Sequence, residues 1–409
     1  MAGKSSLSPR LPQGEDKDAA HTAHRRSRGR RPPCAHHPWV LSLGRLSTLS
    51  SLFDCHALAG RHLPGMLPPC IGRKQCTVVN GTWQADQSGT PPPWNASSCP
   101  FEHAFATCGD TDHAAAAARL RFVPANECRM RRASQRRSTG TLDRQMPSLH
   151  LVGDSLMRQV YISLACGLWH ALPRSEQESR RAKHLPCTKC VEQGGCTNRY
   201  ADGKWPFLNA QPGFYGQRFA GKVPCFASLR LPNMELTYTT IIPGHMPIEA
   251  VLPQLAPTGT IVIEAGVHAA AASAVEWALR LAMAIRNQGA GRKVAWMSTP
   301  PQHFVGKSRS GTFEERNRRE SSHCSLSVLP IRLQHELQAV QPRVENGTID
   351  ALIALGGQEE LGSAKLGNHR VGFYQKLPLR GFDCTHFCSP GPARAIGDAV
   401  LTAHYELSS

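Results

Sequence analysis

Ser155 stands where a serine could act as a nucleophile, between a short apolar run and a helix-like run in LHLVGDSLMRQVYISLACGL (149–168). Serine and aspartate are favoured N-cap residues, so the simplest interpretation is that Ser155 begins a buried helix. As a nucleophile, its hydroxyl needs an imidazole to take its proton and a carboxylate to orient that imidazole. The choice between the two interpretations therefore depends on the rest of the chain.

A candidate imidazole and carboxylate occur together near the C-terminus, in GFDCTHFCSPGPARAIGD. The Asp383-x-x-His386 spacing allows one short turn to present the histidine outward with the aspartate behind it. Disulfides through Cys384 and Cys388 would hold this turn rigidly, as a catalytic triad requires. The alternative is a disulfide-stapled loop in which the aspartate caps a turn and the histidine is incidental.

Alternating strand and helix patterns predict the elements that position these residues. The predicted elements are a strand at 149–152, a helix at 156–169, a strand at 259–266, a helix at 272–287, a strand at 293–300 and a helix from 392. Strand, helix and strand with short connections predict an α/β fold with a mostly parallel central sheet. Sites in such sheets lie beyond the carboxyl ends of the strands, and Ser155 follows one such end.

Composition changes along the 409 residues predict the domain organisation. A large core is expected in the C-terminal part, where the strand and helix patterns lie. The predicted segments are a disordered basic leader (1–70), a Cys-rich module (71–130), a basic linker (131–147) and a catalytic domain (148–409) with a Cys-rich insertion (180–230).

The formal net charge of +17 is concentrated partly in two short runs, HRRSRGRRPP and RMRRASQRRSTGTLDR. Neither run is interleaved with aromatic residues, and the chain has no nucleic-acid-binding motif. We therefore expect solvated segments and no nucleic-acid partner, although a polyanionic or glycan surface could also meet them.

Fifteen cysteines scattered along the chain favour disulfides and an oxidising compartment. The sequons at Asn80, Asn95 and Asn346 agree with passage through the secretory pathway. The odd cysteine count leaves at least one free thiol, for which Cys34 is the candidate.

The CTKCVEQGGC segment (187–196) has a spacing that could hold zinc. In a secreted chain, local disulfides are the favoured use, and no metal site is predicted. The best N-terminal apolar stretch, PWVLSLGRLSTLSSLF, contains Arg45 and is shorter than the roughly 20 residues that span a bilayer. The sequence therefore shows no clear transmembrane segment.

A strand-GDS-helix followed by a C-terminal DxxH resembles the SGNH/GDSL-like acyl-ester enzymes. It resembles in particular the PC-esterase domain of the trichome birefringence-like family of plant and algal polysaccharide O-acetyltransferases. Further motifs occur in that family's order: CTVVNGTW, SSCPFEHAFATC, RLRFVPANECRM, STPPQHF and DCTHFCSPG. The resemblance runs from about Cys76 to the C-terminus, outside the basic linker and the 180–230 insertion.

This resemblance implies a three-layer SGNH-hydrolase-like domain with a small N-terminal Cys-rich module packed on it. It also implies that Ser155 is the nucleophile, His386 the general base and Asp383 the residue that fixes the histidine tautomer. The implied oxyanion and substrate residues are Gly153, Asp154, Arg158, Gly266, Gln302 and His303. The implied disulfide cysteines, whose pairing stays open, are Cys76, Cys99, Cys108, Cys128, Cys166, Cys324, Cys384 and Cys388.

Some of these assignments keep an alternative. Arg158 and Gln159 match the continuation of the GDS motif, and Arg158 could anchor the nucleophile loop, face the acyl group or form a surface salt bridge. His303 could equally be structural. EAGVHAA departs from the family's Asn and Gly-His after the middle strand, with Glu264 and Val267 at those positions and His268 displaced by one. We expect this change to affect substrate or acyl-group choice.

The implied activity is transfer of an acetyl group through an acyl-serine to hydroxyls of a cell-wall or secreted polysaccharide. No bound cofactor is expected; the acetyl donor, for which acetyl-CoA is one candidate, is a co-substrate. The implied compartment is the Golgi, where the family is membrane-associated. Two alternatives remain, a glycan O-acetyl esterase with the same triad and a non-catalytic glycan-binding protein.

Overall fold

A computed structural model describes most of the C-terminal two thirds of the chain and short pieces before it. The described residues are 78–79, 81–85, 98–101, 118–124, 130–133, 146–182, 184–185, 226–241, 243, 247–267, 271–289, 291–300, 331–355, 386–387 and 390–408. The predicted leader, most of the Cys-rich insertion and the CTKC segment lie outside these ranges.

The described residues form an α/β fold. The strands are β1 (Val78–Val79), β2 (Gly81–Ala85), β3 (Leu120–Pro124), β4 (Leu149–Gly153), β5 (His184–Leu185), β6 (Phe226–Arg230), β7 (Glu235–Thr240), β8 (Gly259–Ile263), β9 (Arg292–Met297) and β10 (Ala351–Leu355). The helices are α1 (Ser155–His170), α2 (Arg174–Ala182), α3 (Ile248–Val251), α4 (Ala271–Asn287), α5 (Ile331–Glu345) and α6 (Gly391–Ser408), with a 3-10 turn at Leu252–Gln254.

The central sheet has the strand order β1-β10-β9-β8-β4-β7-β6-β5. Six of these strands, from β1 to β7 in that order, are parallel, and β6 and β5 extend the sheet antiparallel at one edge. Chain order reverses at β4, because its neighbours are β7 on one side and β8 on the other. Such a reversal opens a crevice at the carboxyl ends of the strands.

Helices cover both faces of the sheet, an arrangement compatible with a three-layer α/β domain. On one face α1 and α6 pack together, and Gly397 allows close approach, since a Cβ there would lie 3.1 Å from Cγ of Leu164. On the other face α4 and α5 bury Val275, Ala278 and Val340 against β8 and β9. Strands β4 and β8 are buried along their whole length for this reason.

An antiparallel ribbon of β2 and β3 contacts α6. Arg394 donates a hydrogen bond to the carbonyl of Leu120 at 2.8 Å, and Trp83 packs edge-to-face on Phe122 with ring centroids 5.3 Å apart. The start of the basic segment also contacts α6, because Arg131 lies over the ring of Tyr405 at 4.1 Å.

A disulfide joins Cys99 to Cys166 and ties the 98–101 segment to α1. Both cysteines belong to the set that the sequence predicts to be oxidised, and the structure supplies their pairing. The other cysteines of that set (Cys76, Cys108, Cys128, Cys324, Cys384 and Cys388) lie outside the described residues.

Among the described residues, no helix is both long enough and apolar enough to cross a bilayer.

His150 is a buried histidine of β4 that couples folding to pH. Its Nδ1 accepts from the Ala256 N–H at 3.4 Å, so Nε2 carries the proton and donates to Oγ1 of Thr239 at 2.8 Å. Burial, aided by the charge of Arg292, lowers the pKa of His150 from 6.5 to about 3. Between these values the unfolded chain binds a proton that the folded protein excludes, so acid favours unfolding.

We expect the free energy of unfolding to fall as the pH drops from about 6.5 toward 3, with His150 contributing about 1.4 kcal/mol per pH unit. His150→Gln removes this titration and should flatten the slope by that amount, whatever it does to stability at pH 7. Urea denaturation of both proteins at several pH values measures the two slopes. Parallel slopes would contradict the assignment of a neutral, buried His150.

Candidate active site

The turn between β4 and α1 decides the role open to Ser155. Asp154, which is buried, is the N-cap of α1, and its Oδ1 accepts a hydrogen bond from the Leu156 N–H at 2.9 Å. Ser155 is the first residue inside the helix and is partly exposed. The helix therefore does not need the Ser155 hydroxyl as its cap, and this hydroxyl is placed at the carboxyl edge of the sheet.

The second oxygen of Asp154 holds the loop that follows β8. Its Oδ2 accepts from the Val267 N–H at 2.7 Å. Gly266 has a φ of 71°, and a Cβ there would lie 2.8 Å from Asp154 Oδ2, so glycine is required twice over. The sequence places Gly266 at the oxyanion or substrate side; the structure places it directly against the turn that presents Ser155.

Glu264 lies on the inner side of the same turn. It is fully buried, and a Cβ on Gly153 would lie 2.8 Å from its Oε2. That Cβ would also lie 2.5 Å from Cβ of Met157, so a larger residue at position 153 would clash with both α1 and the Glu264 side chain. Glu264 therefore places a buried carboxyl group directly beside Gly153, at the end of β4.

Tyr238 of β7 supports the turn from the other side. Its hydroxyl donates to the carbonyl of Asp154 at 2.8 Å and accepts from Oγ1 of Thr240 at 2.8 Å. Burial raises the pKa of Tyr238 well above its usual range, and the charges of Asp154 and Glu264 act in the same direction. The phenol consequently keeps its proton and remains a donor at physiological pH.

His386 comes to this turn from the distant C-terminal segment. Its Nε2 lies 2.7 Å from Oγ of Ser155, within hydrogen-bonding range, and His386 as a residue is only 5% exposed. The two segments singled out by residue type in the sequence therefore meet in space. Proton transfer from the hydroxyl to the imidazole needs this short approach.

Gln159 fixes the chain beside His386. Its Nε2 donates to the carbonyl of Phe387 at 2.8 Å, and its Oε1 accepts from the Phe387 N–H at 3.0 Å. Sequence reasoning noted Gln159 only as part of a motif. The spacing of Gln159 from Ser155 indicates a role in the site. Residues four apart on a helix share a face, so Gln159 lies on the same face of α1 as Ser155.

Some of the remaining candidate residues lie within the described ranges, and others lie outside them. Arg158 is partly exposed on α1, and its charge lowers the pKa of Tyr238, although burial outweighs that effect. Asp383, Gln302 and His303 lie outside the described residues. Within the described ranges, no group of three or more His, Cys, Asp or Glu side chains could hold a metal ion.

Comparison with known proteins supplies no relative. No protein family, curated protein or solved structure matches this chain. The site consists of a serine at a helix N-terminus, in hydrogen-bond contact with a histidine, at the carboxyl edge of a parallel sheet.

Proposed function

We propose that this protein is a serine-dependent O-acyltransferase that acetylates hydroxyls of a polysaccharide. The observation that carries the proposal is the 2.7 Å contact between Nε2 of His386 and Oγ of Ser155 at the carboxyl edge of a parallel sheet. A nucleophile and a base within hydrogen-bond reach are the arrangement that nucleophilic, covalent catalysis requires, of which acyl transfer is one class.

In the first half-reaction, Ser155 Oγ attacks the acetyl carbonyl of the donor while His386 Nε2 takes the serine proton. The donor's leaving group departs with that proton, which leaves an acetyl ester on Ser155. In the second half, His386 takes a proton from a sugar hydroxyl, whose oxygen attacks the ester. The serine regains a proton from His386 and the acetylated sugar leaves. Asp383 is proposed to hold the reactive histidine tautomer.

The oxyanion formed in each half-reaction is proposed to lie at the N-terminus of α1, against the Gly153–Ser155 turn. A helix N-terminus favours negative charge through its dipole and its backbone N–H groups. The N–H groups of Leu156 and Val267 already donate to Asp154, so they contribute by holding the turn. Backbone N–H groups of the turn that already point at the oxyanion would stabilise the transition state without having to reorient.

The finer architecture that we propose is a three-layer SGNH-like domain with an N-terminal Cys-rich module packed on it. Helices on both sheet faces, the β2–β3 ribbon on α6 and the Cys99–Cys166 disulfide support this arrangement. The disulfide also supports a secretory location, because such bonds persist in oxidising compartments. A Golgi location and a cell-wall or secreted glycan acceptor complete the proposal.

The experiment that tests this function combines an acetyl donor with a panel of glycan oligomers and follows acetylated glycan and free acetate by mass spectrometry. A transferase gives acetylated glycan that depends on the acceptor. An esterase, which uses water in place of the sugar, gives acetate whether or not a glycan is added. A fluorophosphonate probe that fails to label the wild-type serine would favour a non-catalytic glycan-binding protein.

Asn346 provides a separate test of the secretory location. It is exposed in the turn after α5, and its Oδ1 accepts from the Thr348 N–H at 3.1 Å within the Asn-Gly-Thr sequon. This turn precedes β10 and so lies at the edge of the sheet opposite Ser155. We expect an N-linked glycan at Asn346 in protein made by a eukaryotic secretory host.

Treatment with an N-glycosidase followed by peptide mapping should show conversion of Asn346 to aspartate. Asn346→Gln should lose that one glycan, whereas Asn287→Gln, an exposed asparagine outside any sequon, should not change the glycan content. An unmodified Asn346 in secreted, folded protein would contradict this prediction.

A further inference from the structure

We infer that Gln159 is a positioning residue, which sets the distance between His386 and Ser155 by binding the backbone next to the histidine. This inference rests on the proposed function, because it assigns the residue a role in the same reaction. The hydrogen bonds of its side chain go to the backbone of Phe387, the residue next to the histidine.

Gln159 uses both ends of its amide on a single residue. Donation to the Phe387 carbonyl at 2.8 Å and acceptance from the Phe387 N–H at 3.0 Å fix that peptide in orientation as well as in position. Gln159 and Phe387 are each 2% exposed, so water has little access to replace either bond. Buried hydrogen bonds of this kind leave costly orphan groups when one partner is removed.

The positions of Ser155 and His386 therefore both depend on α1. Ser155 begins α1, Gln159 lies one turn further along the same face, and His386 is bonded covalently to the residue that Gln159 holds. The contact with α1 thus sets the position of His386 relative to Ser155. A shift of about 1 Å in such a pair is enough to reduce the rate about 100-fold.

Glutamine can make both bonds because its amide carries a donor and an acceptor at the end of a side chain of this length. Methionine has nearly the same length but neither donates nor makes a strong acceptor, and an ionised glutamate accepts without donating. A protonated glutamate, in contrast, has one donor and one acceptor oxygen, as glutamine does. These differences give variants that distinguish positioning from general loss of packing.

The principal test measures the bimolecular rate of Ser155 labelling by a fluorophosphonate in the full-length protein. We expect Gln159→Met to slow labelling about 100-fold. In a protein that already carries His386→Gln, the same change should have almost no further effect, since the histidine it positions is gone. General loss of packing would instead slow both backgrounds by the same factor.

Gln177→Met is the matched control. Gln177 also donates to a backbone carbonyl, that of Leu172 at 3.1 Å, but it lies beyond the opposite end of α1. We expect its labelling rate to stay within about twofold of the wild-type rate, because neither residue adjoins Ser155 or His386.

Gln159→Glu adds a readout that a purely structural role would not give. Burial favours the neutral carboxyl, which can replace the amide, whereas ionisation at higher pH repels the Phe387 carbonyl. We therefore expect the ratio of Gln159→Glu to wild-type labelling to fall as pH rises. If Gln159→Met is labelled at the wild-type rate, or if it slows labelling equally with and without His386, the inference about Gln159 is wrong while the proposed function still stands. Absence of Ser155 labelling in the wild type would overturn the proposed function, and this inference with it.

Discussion

Ser155→Ala should abolish covalent labelling and acetyl transfer while the protein stays folded. Because Asp154 caps α1, the substitution removes only a partly exposed hydroxyl and its contact with His386. The free energy of unfolding should change by no more than about 1 kcal/mol. Activity should fall about 10⁶-fold, the scale seen when a serine nucleophile is lost from an intact triad.

Ser163→Ala is the control for this variant, since Ser163 is a buried serine two turns further along the same helix. It should label and transfer at the wild-type rate. Intact-mass spectrometry after incubation with the probe, and with an acetyl donor, measures both reactions. Equal yields of acetylated glycan from wild type and Ser155→Ala would show that the proposed mechanism is wrong.

His386→Gln should produce the second-largest loss. Without the imidazole nothing takes the Ser155 proton as the oxygen attacks, and general base catalysis contributes about 10²–10⁴-fold to such reactions. We expect labelling to slow toward the upper end of that range. His335→Gln, an exposed histidine on α5, is the matched control and should leave the rate unchanged.

The labelling rate and urea denaturation should be measured on the same His386→Gln preparation. A slow rate in a protein of wild-type stability assigns the effect to chemistry. Labelling of His386→Gln at the wild-type rate would mean that the 2.7 Å contact has no role in activating the serine.

The elements around Ser155 could be predicted because their patterns are strong. The β4–α1 turn, β8, α4, β9 and α6 all occur where the sequence places them, but two predicted strands end early. The strand from Gly259 stops at Ile263, because the chain turns through Gly266 at positive φ to reach Asp154. The strand through Trp296 stops at Met297, since the Thr299 N–H donates to Glu336 of α5 rather than to a neighbouring strand.

Strands β7 and β10 were not predicted, for different reasons. In β7, Thr237 and Thr239 are fully buried, and threonine in ELTYTT carries no strong signal for a core position. Strand β10 is a five-residue apolar run, ALIAL, too short to separate strand from helix by periodicity. Only the tertiary arrangement identifies either strand.

Within the site, residue type pointed to Ser155 and His386 but not to Tyr238 or to the role of Gln159. Ser155 and His386 contact each other through their side chains, so their residue types alone indicate the chemistry of the contact. Tyr238 and Gln159 bind backbone atoms of Asp154 and Phe387, and a backbone partner has no residue type to look for. The backbone partner of such a supporting residue is identified only when the chain is folded.

Asparagine and aspartate are nearly equivalent as helix N-caps in general, but at position 154 only aspartate can accept both of the hydrogen bonds that are made there. Both oxygens of Asp154 receive hydrogen bonds from backbone N–H groups, Leu156 within its own helix and Val267 from the loop after β8. An asparagine could satisfy one N–H and would point its own NH₂ at the other. The aspartate in GDS thus links two chain segments, because it supplies two acceptor oxygens in one side chain.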